Sequence, residues 1–548
     1  MNLFPMRAGQ VRVFLAEVGA ALAAAVLIAG CGNNYRPTVT PVPTSGPPAQ
    51  PTSYAVTVSD PAPGADGVAT IIDYSGDSIM AEAPIGDQPL AFTNDELGSN
   101  QGYTYNDDQT ITNFPVSTNL QPKQEFVTTL PGPPLLPFAA QPINIDATAM
   151  GLWIGDLSNN TVDIFSGSPQ KFTLAVPLPS QGTGLPPATT PVFIAGAPAT
   201  GGQREYIISQ NLGSSPTGVE CNLTPSAEPT GTAIPVEISN YTIDPPIPLG
   251  KCPVFAVQTP DQRRLFVLNR GDDTITVINS QNDSLDSCTP FQNQNNQWVT
   301  CHPTIQLPAG SGPVYAEYNA ATQQLVVANY EGGTISVINA SLDEYGNDSN
   351  TYANPTCIVD GSTTSTYAGC GAITGGFGTV TATIPVGPNP ASVTVLFDGS
   401  RAYTANQGDC ASNCTASGNG TVTVVNLSSY SVEKTLPVTG LPRTVVSTEN
   451  SLYGKVYTAA PNTPFLTIVE TETDLIDTTI LTEGNVVDVR TSTQNGGSQT
   501  VATYSGSMNI SNIEYSSRVP GWGQPCYLPP AALPATYTLQ QCQAVPYP

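Results

Sequence analysis

The sequence has few charged side chains and almost no histidine. Only 11% of its 548 residues are charged, with 16 basic against 42 acidic side chains, and His302 is the single histidine. A formal net charge of −26 excludes a nucleic-acid-binding protein, which needs a basic surface against phosphates. One imidazole is too few for the usual histidine-built zinc, copper or haem sites. With 53 prolines, 49 glycines and few Lys, Arg and Glu, a long helical bundle is also excluded.

The first residues predict export. Two basic residues, Arg7 and Arg12, precede an apolar run over residues 18–28, which is too short for a stable membrane anchor but suits a signal-peptide core. The run ends in small residues directly before Cys31. This ending resembles the lipobox of bacterial lipoproteins, and the resemblance implies cleavage before Cys31 and acylation of its thiol and its new amino group. An ordinary signal peptide with an incidental cysteine is the alternative.

The same resemblance implies a location in the bacterial cell envelope. Gly32 stands where many lipoproteins of the inner membrane carry aspartate, so the outer membrane or the cell surface is favoured. Several acyl chains would hold the protein stably on the bilayer. We predict a signal peptide over residues 1–30 and a lipidated spacer, rich in Pro, Thr and Ser, over residues 31–60.

The ten cysteines after Cys31 fit an oxidising compartment. They fall as five neighbouring pairs along the chain, and bridges within the pairs would each close a local loop, although the sequence leaves the connectivity open. The candidate pairs are Cys221 and Cys252, Cys288 and Cys301, Cys357 and Cys370, Cys410 and Cys414, and Cys526 and Cys542. A metal site at Cys410 and Cys414 is disfavoured because no second pair or histidine cluster accompanies them.

A strand pattern recurs along the body of the chain. Four segments share an apolar strand, a polar turn and an alternating strand, namely LWIGDLSNNTVDIF (152–165), LFVLNRGDDTITVIN (265–279), LVVANYEGGTISVIN (325–339), and AYTANQGD with GTVTVVN (402–409, 420–426). A strand led by proline precedes each hairpin, and a fourth strand follows it. Four antiparallel strands per repeat are typical of a β-propeller blade.

These segments resemble the YVTN-type β-propeller repeat. The best matches are LFVLNRGDDTITVIN (265–279) and VLFDGSRAYTAN (395–406), and the resemblance covers about residues 65–510. It implies the fold and leaves the activity open, because the pattern is one of strands and turns.

The number of blades follows from the repeats and the two chain ends. Seven proline-led units predict seven complete blades. Residues 68–86 have the pattern of two strands and residues 486–505 that of two more, so we expect the ends to share an eighth blade that closes the ring. The prediction is an all-β propeller of four-stranded antiparallel blades over residues 61–517, with eight blades favoured and seven the alternative. Residues 518–548 are predicted to form a Pro-rich tail closed by a disulfide.

No catalytic residue is assigned. The segment GDSI at residues 76–79 resembles the nucleophile block of GDSL-type esterases, which need an aspartate three residues before a histidine. Val299 stands at that place before His302, so Ser78 is interpreted as a strand residue and His302 as a loop residue. An oxygen-rich loop with Asp343, Glu344 and Asp348 is a weak calcium candidate because it lacks EF-hand spacing. No other cofactor is predicted.

Three function classes remain open. The favoured one is a membrane-tethered, non-catalytic propeller that binds an envelope protein or a polysaccharide through its loops. The first alternative is an enzyme of the lactonase-like or quinoprotein-like propeller type, which places a metal or cofactor over the central channel. It would need carboxylates and asparagines converging from several blades on one rim. The second alternative is a structural surface protein.

Overall fold

The computed structural model describes the chain between residues 54 and 491, except for internal gaps at 63, 74–75, 95–100, 117–125, 149–150, 168–169, 181–185, 197–203, 213–228, 260–261, 287–290, 293–297, 300, 342–355, 360–365, 369–375, 409–417 and 449–453. Within these residues the chain forms 37 β-strands, and no helix there is long and apolar enough to cross a membrane. Eight antiparallel blades follow one another in a ring, which confirms the predicted all-β, eight-bladed propeller.

Blade 1 is assembled from both ends of the described chain, and blades 2 to 8 follow in sequence order. The strands of blade 1 are β1 (Tyr54–Asp60), β2 (Asp66–Asp73), β3 (Ser78–Asp87) and, at the centre of the ring, β37 (Asn485–Thr491). Those of blades 2 to 4, from the centre outward, are β4 (Pro89–Asn94), β5 (Gln101–Asn106), β6 (Thr110–Pro115) and β7 (Phe126–Thr129); β8 (Pro142–Thr148), β9 (Gly151–Asp156), β10 (Thr161–Ser166) and β11 (Lys171–Pro177); β12 (Pro191–Gly196), β13 (Arg204–Ser209), β14 (Thr230–Glu237) and β15 (Ile247–Lys251).

Blades 5 to 8 are built in the same way. Their strands, again from the centre outward, are β16 (Pro253–Gln258), β17 (Arg264–Asn269), β18 (Thr274–Asn279) and β22 (Cys301–Gln306); β23 (Pro313–Asn319), β24 (Gln324–Asn329), β25 (Thr334–Asn339) and β28 (Val380–Pro385); β29 (Pro390–Val395), β30 (Arg401–Asn406), β31 (Gly420–Asn426) and β32 (Ser431–Val438); β33 (Thr444–Ser447), β34 (Lys455–Ala459), β35 (Phe465–Glu470) and β36 (Leu475–Leu481).

The insertion that follows blade 6's third strand pairs with the neighbouring blade. Its strands β26 (Thr356–Val359) and β27 (Thr366–Ala368) extend blade 5 through β22, where His302 lies opposite Ile358. The interpretation of His302 as a loop residue is therefore wrong, because the inserted segment supplies a strand partner that the local sequence does not reveal. Three short strands also accompany blade 5, namely β19 (Ser284–Leu285), β20 (Phe291–Gln292) and β21 (Trp298–Val299).

The middle strands of the blades are apolar along almost their whole length. Every residue of β17 is buried, and β24 is buried except at its first residue. Both faces of a middle strand are covered because each blade packs between two others, so the strand needs apolar side chains on both sides. This explains why runs such as LFVLN and LVVAN show little alternation.

An asparagine ends the second strand in four blades and holds the turn that follows. Its Nδ2 group donates to two hydroxyl groups of the third strand at 2.8–3.1 Å. The four residues are Asn106, Asn269, Asn329 and Asn406. The asparagine of the repeat is thus a buried hydrogen-bonding residue of the hairpin.

The closing blade differs from its prediction. We expected two strands from each end, whereas β1, β2 and β3 come from the N-terminal side and only β37 from the C-terminal side. Strand β1 occupies Tyr54–Asp60, which the sequence assigned to the spacer, and all seven of its residues are buried. Its Val-Thr-Val alternation was obscured by the Pro/Thr-rich stretch before it. The part of the predicted closing strands beyond residue 491 lies outside the described residues.

The ring has two distinct faces. We call the face with the turns between second and third strands, and with the links from one blade to the next, the upper face. The opposite face, with the turns between first and second strands and between third and fourth strands, is the lower face. The described chain starts at Tyr54 and ends at Thr491, and the pairing of Ala55 with Thr491 puts both ends on the lower face.

Candidate functional site

The first strands of the blades, with Arg443 directly before the first strand of blade 8, carry two contrasting arcs of buried side chains. In blades 4, 5 and 6, Phe193, Phe255 and Tyr315 form an aromatic row, with ring centroids 4.7 and 4.6 Å apart. In blades 6, 7, 8 and 1, the buried side chains at the inner strands are polar or charged. We call this second set the polar arc; its members are Glu317, Ser392, Thr394, Arg443, Ser447, Asp488 and Arg490, and none is more than 4% exposed.

Glu317 is a fully buried carboxylic acid of the polar arc. Its Oε1 accepts a hydrogen bond from the Val395 amide at 3.0 Å, and the Thr394 hydroxyl also bonds it. Within the described residues, Oε2 has no hydrogen-bond partner. Burial raises the pKa of Glu317 to about 8, because no opposite charge offsets its loss of water. Near neutral pH the side chain is mostly a neutral acid.

Several other polar groups of the inner strands bond one blade to the next. Ser392 of blade 7 donates to the Arg443 carbonyl at 2.8 Å and accepts from the Val445 amide of blade 8 at 3.0 Å. Arg443 in turn donates to the Val487 carbonyl of blade 1. In blade 3, Asn144 accepts from the Ile194 amide of blade 4 at 2.9 Å. These polar side chains therefore have a structural role at the centre of the ring.

Asp488 lies between two arginines in the polar arc. Its side chain is fully buried, and the Arg490 Nε atom is 3.4 Å from its Oδ2. Burial raises the pKa of Asp488, and the charges of Arg490 and Arg443 oppose that rise. Asp488 of blade 1 is thus one carboxylate beside the guanidinium groups of Arg490 and of Arg443 from blade 8. The enzyme alternative requires carboxylates and asparagines from several blades. In the described part of the chain, no group of three or more His, Cys, Asp or Glu residues is placed to hold a metal ion.

A second feature lies on the upper face between blades 2 and 3. Residues 131–140, which we call the upper loop, leave the ring and return to it, and the Ala140 amide closes the loop by donating to the Pro131 carbonyl at 3.0 Å. Asn159 holds the loop from the neighbouring turn: its Oδ1 accepts from the Phe138 amide at 3.0 Å, and its Nδ2 donates to the Phe138 carbonyl at 3.1 Å. The side chain of Asn159 thus fixes the upper loop to blade 3 by bonding both the amide and the carbonyl of Phe138.

Asp156 organises the base of the upper loop. It takes the place that asparagine has in four other blades, and its Oδ1 accepts from the Gln141 and Ser158 amides at 2.9 and 3.0 Å. Its Oδ2 accepts from the Asn159 Nδ2 at 2.6 Å. Only a carboxylate offers acceptors alone on both oxygens, so the change from asparagine to aspartate matches this set of donors.

A second aspartate replaces the repeat's hydroxyl residue beside Asp156. Asp163 is fully buried and accepts from the Thr161 hydroxyl at 2.8 Å. Burial and the charge of Asp156 raise the pKa of Asp163 to about 7. Burial also raises the pKa of Asp156, although its hydrogen bonds oppose the rise. The two acids are therefore coupled, and the pair holds a proton more strongly than exposed aspartates would.

The upper loop keeps large apolar side chains in water. Leu135 is 68% exposed and Phe138 63% exposed, and the prolines at 133, 134 and 137 are exposed beside them. The segment LPGPPLLPFAA, residues 130–140, contains no charged residue. Leu136 points inward and is buried, which anchors the loop from below.

The structure describes only some of the residues that the sequence singled out. Ser78 begins β3, as predicted, and the adjacent Asp77 forms an ion pair with Lys455 at 3.0 Å. Cys252 is disulfide-bonded, whereas its pairing with Cys221 stays a prediction. Cys301 and Cys357 lie on the paired strands β22 and β26. Outside the described residues lie Cys31, Cys221, Cys288, Cys370, Cys410, Cys414, Cys526, Cys542, Asp343, Glu344 and Asp348.

The polar arc and the upper loop were both missed at the level of sequence. The signal for the arc was a charged residue inside an apolar strand, as with Glu317 in PVYAE and Asp488 in VVDVR. The signal for the loop was the change of the repeat's asparagine to Asp156, together with the following apolar, Pro-rich link. Neither signal says which residues from other blades lie nearby.

Comparisons with known proteins support the fold alone. No protein-family model matches the chain, and no curated protein matches its sequence. Among solved structures, the dihydro-heme d1 dehydrogenase NirN in complex with DHE has a TM-score of 0.51 at 12% identity, covering 83% of this chain and 79% of NirN. Apo AztD from Citrobacter koseri has a TM-score of 0.48 at 10% identity, covering 81% of this chain and 98% of AztD. At such identities the likeness concerns the architecture, so this chain is a β-propeller whose function must be argued from its own residues.

Proposed function

We propose that this protein is a lipid-anchored β-propeller of the bacterial cell envelope that acts by binding a partner rather than by catalysis. The observation that carries the binding function is the upper loop, which holds Leu135 and Phe138 in water on a hydrogen-bonded framework. Exposed apolar patches on a folded protein mark interaction sites, because leaving them in water costs free energy.

The polar arc supports the non-catalytic part of the proposal. Its hydroxyl and arginine groups bond neighbouring blades, as Ser392 does for Val445 and Arg443 does for Val487. Groups engaged in this way stabilise the ring and are poor nucleophiles, because a nucleophile needs an adjacent base and access to a substrate.

An enzyme with a site over the central channel is the second candidate, and the buried ionisable residues Glu317, Asp488 and Arg490 on the inner strands favour it. Hydrolysis of a lactone, ester or phosphate substrate by the purified protein, abolished in Asp488→Asn, would overturn the non-catalytic proposal. We expect no turnover, since Glu317 and Asp488 are buried among the inner strands and are not exposed to a substrate.

Tethering is tested by Cys31→Ser. The acylated cysteine is the only membrane-holding feature that the sequence predicts after cleavage, so the variant should move from washed membranes to the soluble fraction. Metabolic labelling with radioactive palmitate should mark the unchanged protein and not the variant. A variant that stays on washed membranes would show another anchor and would contradict the tethering part of the proposal.

A further inference from the structure

We propose that the upper loop, residues 131–140, docks into an apolar recess bordered by basic side chains on a partner protein of the envelope. The inference rests on the proposed binding function and adds to it the place of contact and the chemistry of the partner. Four observations carry it: the rigidity of the loop, its apolar surface, its position on the ring and the acidic side chains next to it.

The loop is ordered before any partner arrives. Its two ends are joined by the bond from the Ala140 amide to the Pro131 carbonyl, and the Leu135 amide donates to the Gly132 carbonyl at 2.9 Å. Asn159 holds the tip at Phe138, and Asp156 holds Asn159. A preordered loop loses little conformational entropy on binding, which favours affinity.

The exposed surface of the loop suits a protein recess better than a sugar. Leu135, Phe138 and three prolines are exposed, whereas the backbone amide and carbonyl of Phe138 are bonded to Asn159 of blade 3. Aliphatic and aromatic anchors without polar side chains fill pockets in protein interfaces. A polysaccharide would require hydrogen-bonding side chains, which the segment 130–140 does not contain.

The loop lies on the face opposite to both ends of the described ring. It links blade 2 to blade 3 on the upper face, while β1 begins and β37 ends on the lower face. The predicted spacer and the residues after Thr491 are therefore connected to the lower face. The upper loop and the two described chain ends therefore lie on opposite faces of the ring.

Acidic side chains border the upper loop, and from them we infer that the contact surface of the partner is basic. The Leu130 amide donates to the Gln109 carbonyl at 2.7 Å, so the loop begins against the turn that carries Asp107 and Asp108. Asp87 lies in the same patch, with its amide bonded to Asp108 at 3.2 Å. Burial raises the pKa of Asp87, and repulsion from Asp108 raises it further. A basic border on the partner complements these acids, whereas an anionic bilayer would be repelled.

The test uses a photoreactive phenylalanine analogue placed at single positions in the full-length lipidated protein, in its native cells. Positions 135 and 138 should each crosslink to one and the same envelope protein, identified by mass spectrometry with its crosslinked peptide in an apolar recess beside Lys or Arg. The matched control is position 475, since Leu475 is also an exposed leucine but begins β36 on the lower face. That position should give no such adduct.

Titration then measures the affinity of variants for the identified protein. The variants separate the contributions of the apolar side chains, the acidic side chains and the rigidity of the loop. Leu135→Ser with Phe138→Ser should weaken binding about tenfold or more and leave the melting temperature unchanged, because both side chains are exposed. Asp107→Asn with Asp108→Asn should weaken binding severalfold at low salt and reduce its salt dependence. Asn159→Ala keeps both anchors but frees the loop, and should weaken binding by an intermediate factor.

Other outcomes would overturn the inference in recognisable ways. Adducts at 475 but not at 135 or 138 would place the binding site elsewhere and leave the proposed binding function intact. Adducts within the chain at residues 518–548, or with a second copy, would show that the protein covers its own loop. Binding of the Cys31→Ser protein to phosphatidylcholine vesicles through Leu135 and Phe138 would assign the loop to the bilayer. Absence of any partner at any position would contradict the proposed function itself.

Discussion

Single carboxyl groups buried inside the ring decide how its stability changes with pH. Burial raises the pKa of Glu317 to about 8, that of Asp163 to about 7, and those of Asp60 and Asp77 to about 6. The folded state therefore binds these protons more tightly than the unfolded chain does. Their stabilising effect is complete below the ordinary pKa near 4 and is lost as the pH rises through the raised values. The protein should be more stable near pH 5 than near pH 8.

Glu317→Gln tests this at one residue. The amide keeps the acceptor for the Val395 amide but cannot ionise, so the variant should match the unchanged protein at pH 5 and melt at a higher temperature at pH 9. Between pH 5 and pH 9, a single carboxyl group with a raised pKa lowers the free energy of unfolding of the unchanged protein by up to about 1.4 kcal/mol per pH unit. Thermal unfolding at pH 5 to 9 measures the difference.

The exposed Glu483 offers a control for net charge, because Glu483→Gln removes the same formal charge at the surface of the ring. A constant difference between Glu317→Gln and the unchanged protein over the whole pH range would mean that Glu317 does not titrate in this window. The same profile in both variants would assign the effect to net charge.

Between elements, an ionic contact recurs at three junctions of neighbouring blades. A basic residue of the second strand pairs with an aspartate in the turn after the third strand of the next blade, at 2.5–3.0 Å. The pairs are Arg204 with Asp283, Arg401 with Asp474, and Lys455 with Asp77. All three aspartates have φ between 49° and 52°, a left-handed conformation that aspartate tolerates in turns.

The contact between Lys455 and Asp77 has a special position, because it joins the last complete blade to the strands from the N-terminal side. Lys455→Met should lower the free energy of unfolding by about 2–4 kcal/mol, since it leaves the buried Asp77 carboxylate without its cation. Equilibrium unfolding in urea measures the loss. Asp77→Asn added to Lys455→Met should recover part of it.

Arg401→Met is the matched comparison, because its blades 7 and 8 are also linked by the chain itself. Lys455→Met could instead lower the free energy of unfolding by less than about 1 kcal/mol, which is the contribution of a surface ion pair. That result would mean that apolar packing alone holds this junction.

At the scale of the whole molecule, closure of the ring depends on β1. This strand lies between β2 and β37, where Val56 and Val58 pack with Phe92 and Phe114 of blade 2. Removing β1 would separate the chain's first described strands from its last. It would also expose apolar side chains at about 25 cal/mol per Å², on a fold whose net stability is of order 5–15 kcal/mol.

Two deletions that differ by seven residues test this closure. Deletion of residues 32–53 should leave the cooperative thermal transition unchanged, whereas deletion of residues 32–60 should abolish it, because only the second removes β1. Circular dichroism during heating measures both. A cooperative transition at the original temperature in the longer deletion would show that the ring closes without β1.

The sequence by itself determined most strands of the repeats and the blade class, and it favoured eight blades over seven. These depend on local signals: alternating apolar residues, prolines that lead the first strands, and an asparagine such as Asn269 or Asn406 that bonds the adjacent hairpin strand. Each of these signals predicts the strands of one repeat only. Because the signals recur along the chain, they together predict a propeller. The buried Glu317 and the change to Asp156 were visible too, but only as departures from the pattern.

Only the tertiary structure decided how distant residues meet. Ser59 bonds the carbonyl of Glu483, 424 positions away, and this pairing makes Tyr54–Asp60 a strand of the ring although its sequence continues a Pro-rich stretch. Packing of β37 on blade 8 likewise brings Asp488 beside Arg443, and the turn of blade 3 fixes Phe138 through Asn159. The physical reason is that burial, and with it the raised pKa values and the direction of each side chain, depends on neighbouring blades that lie far away along the chain.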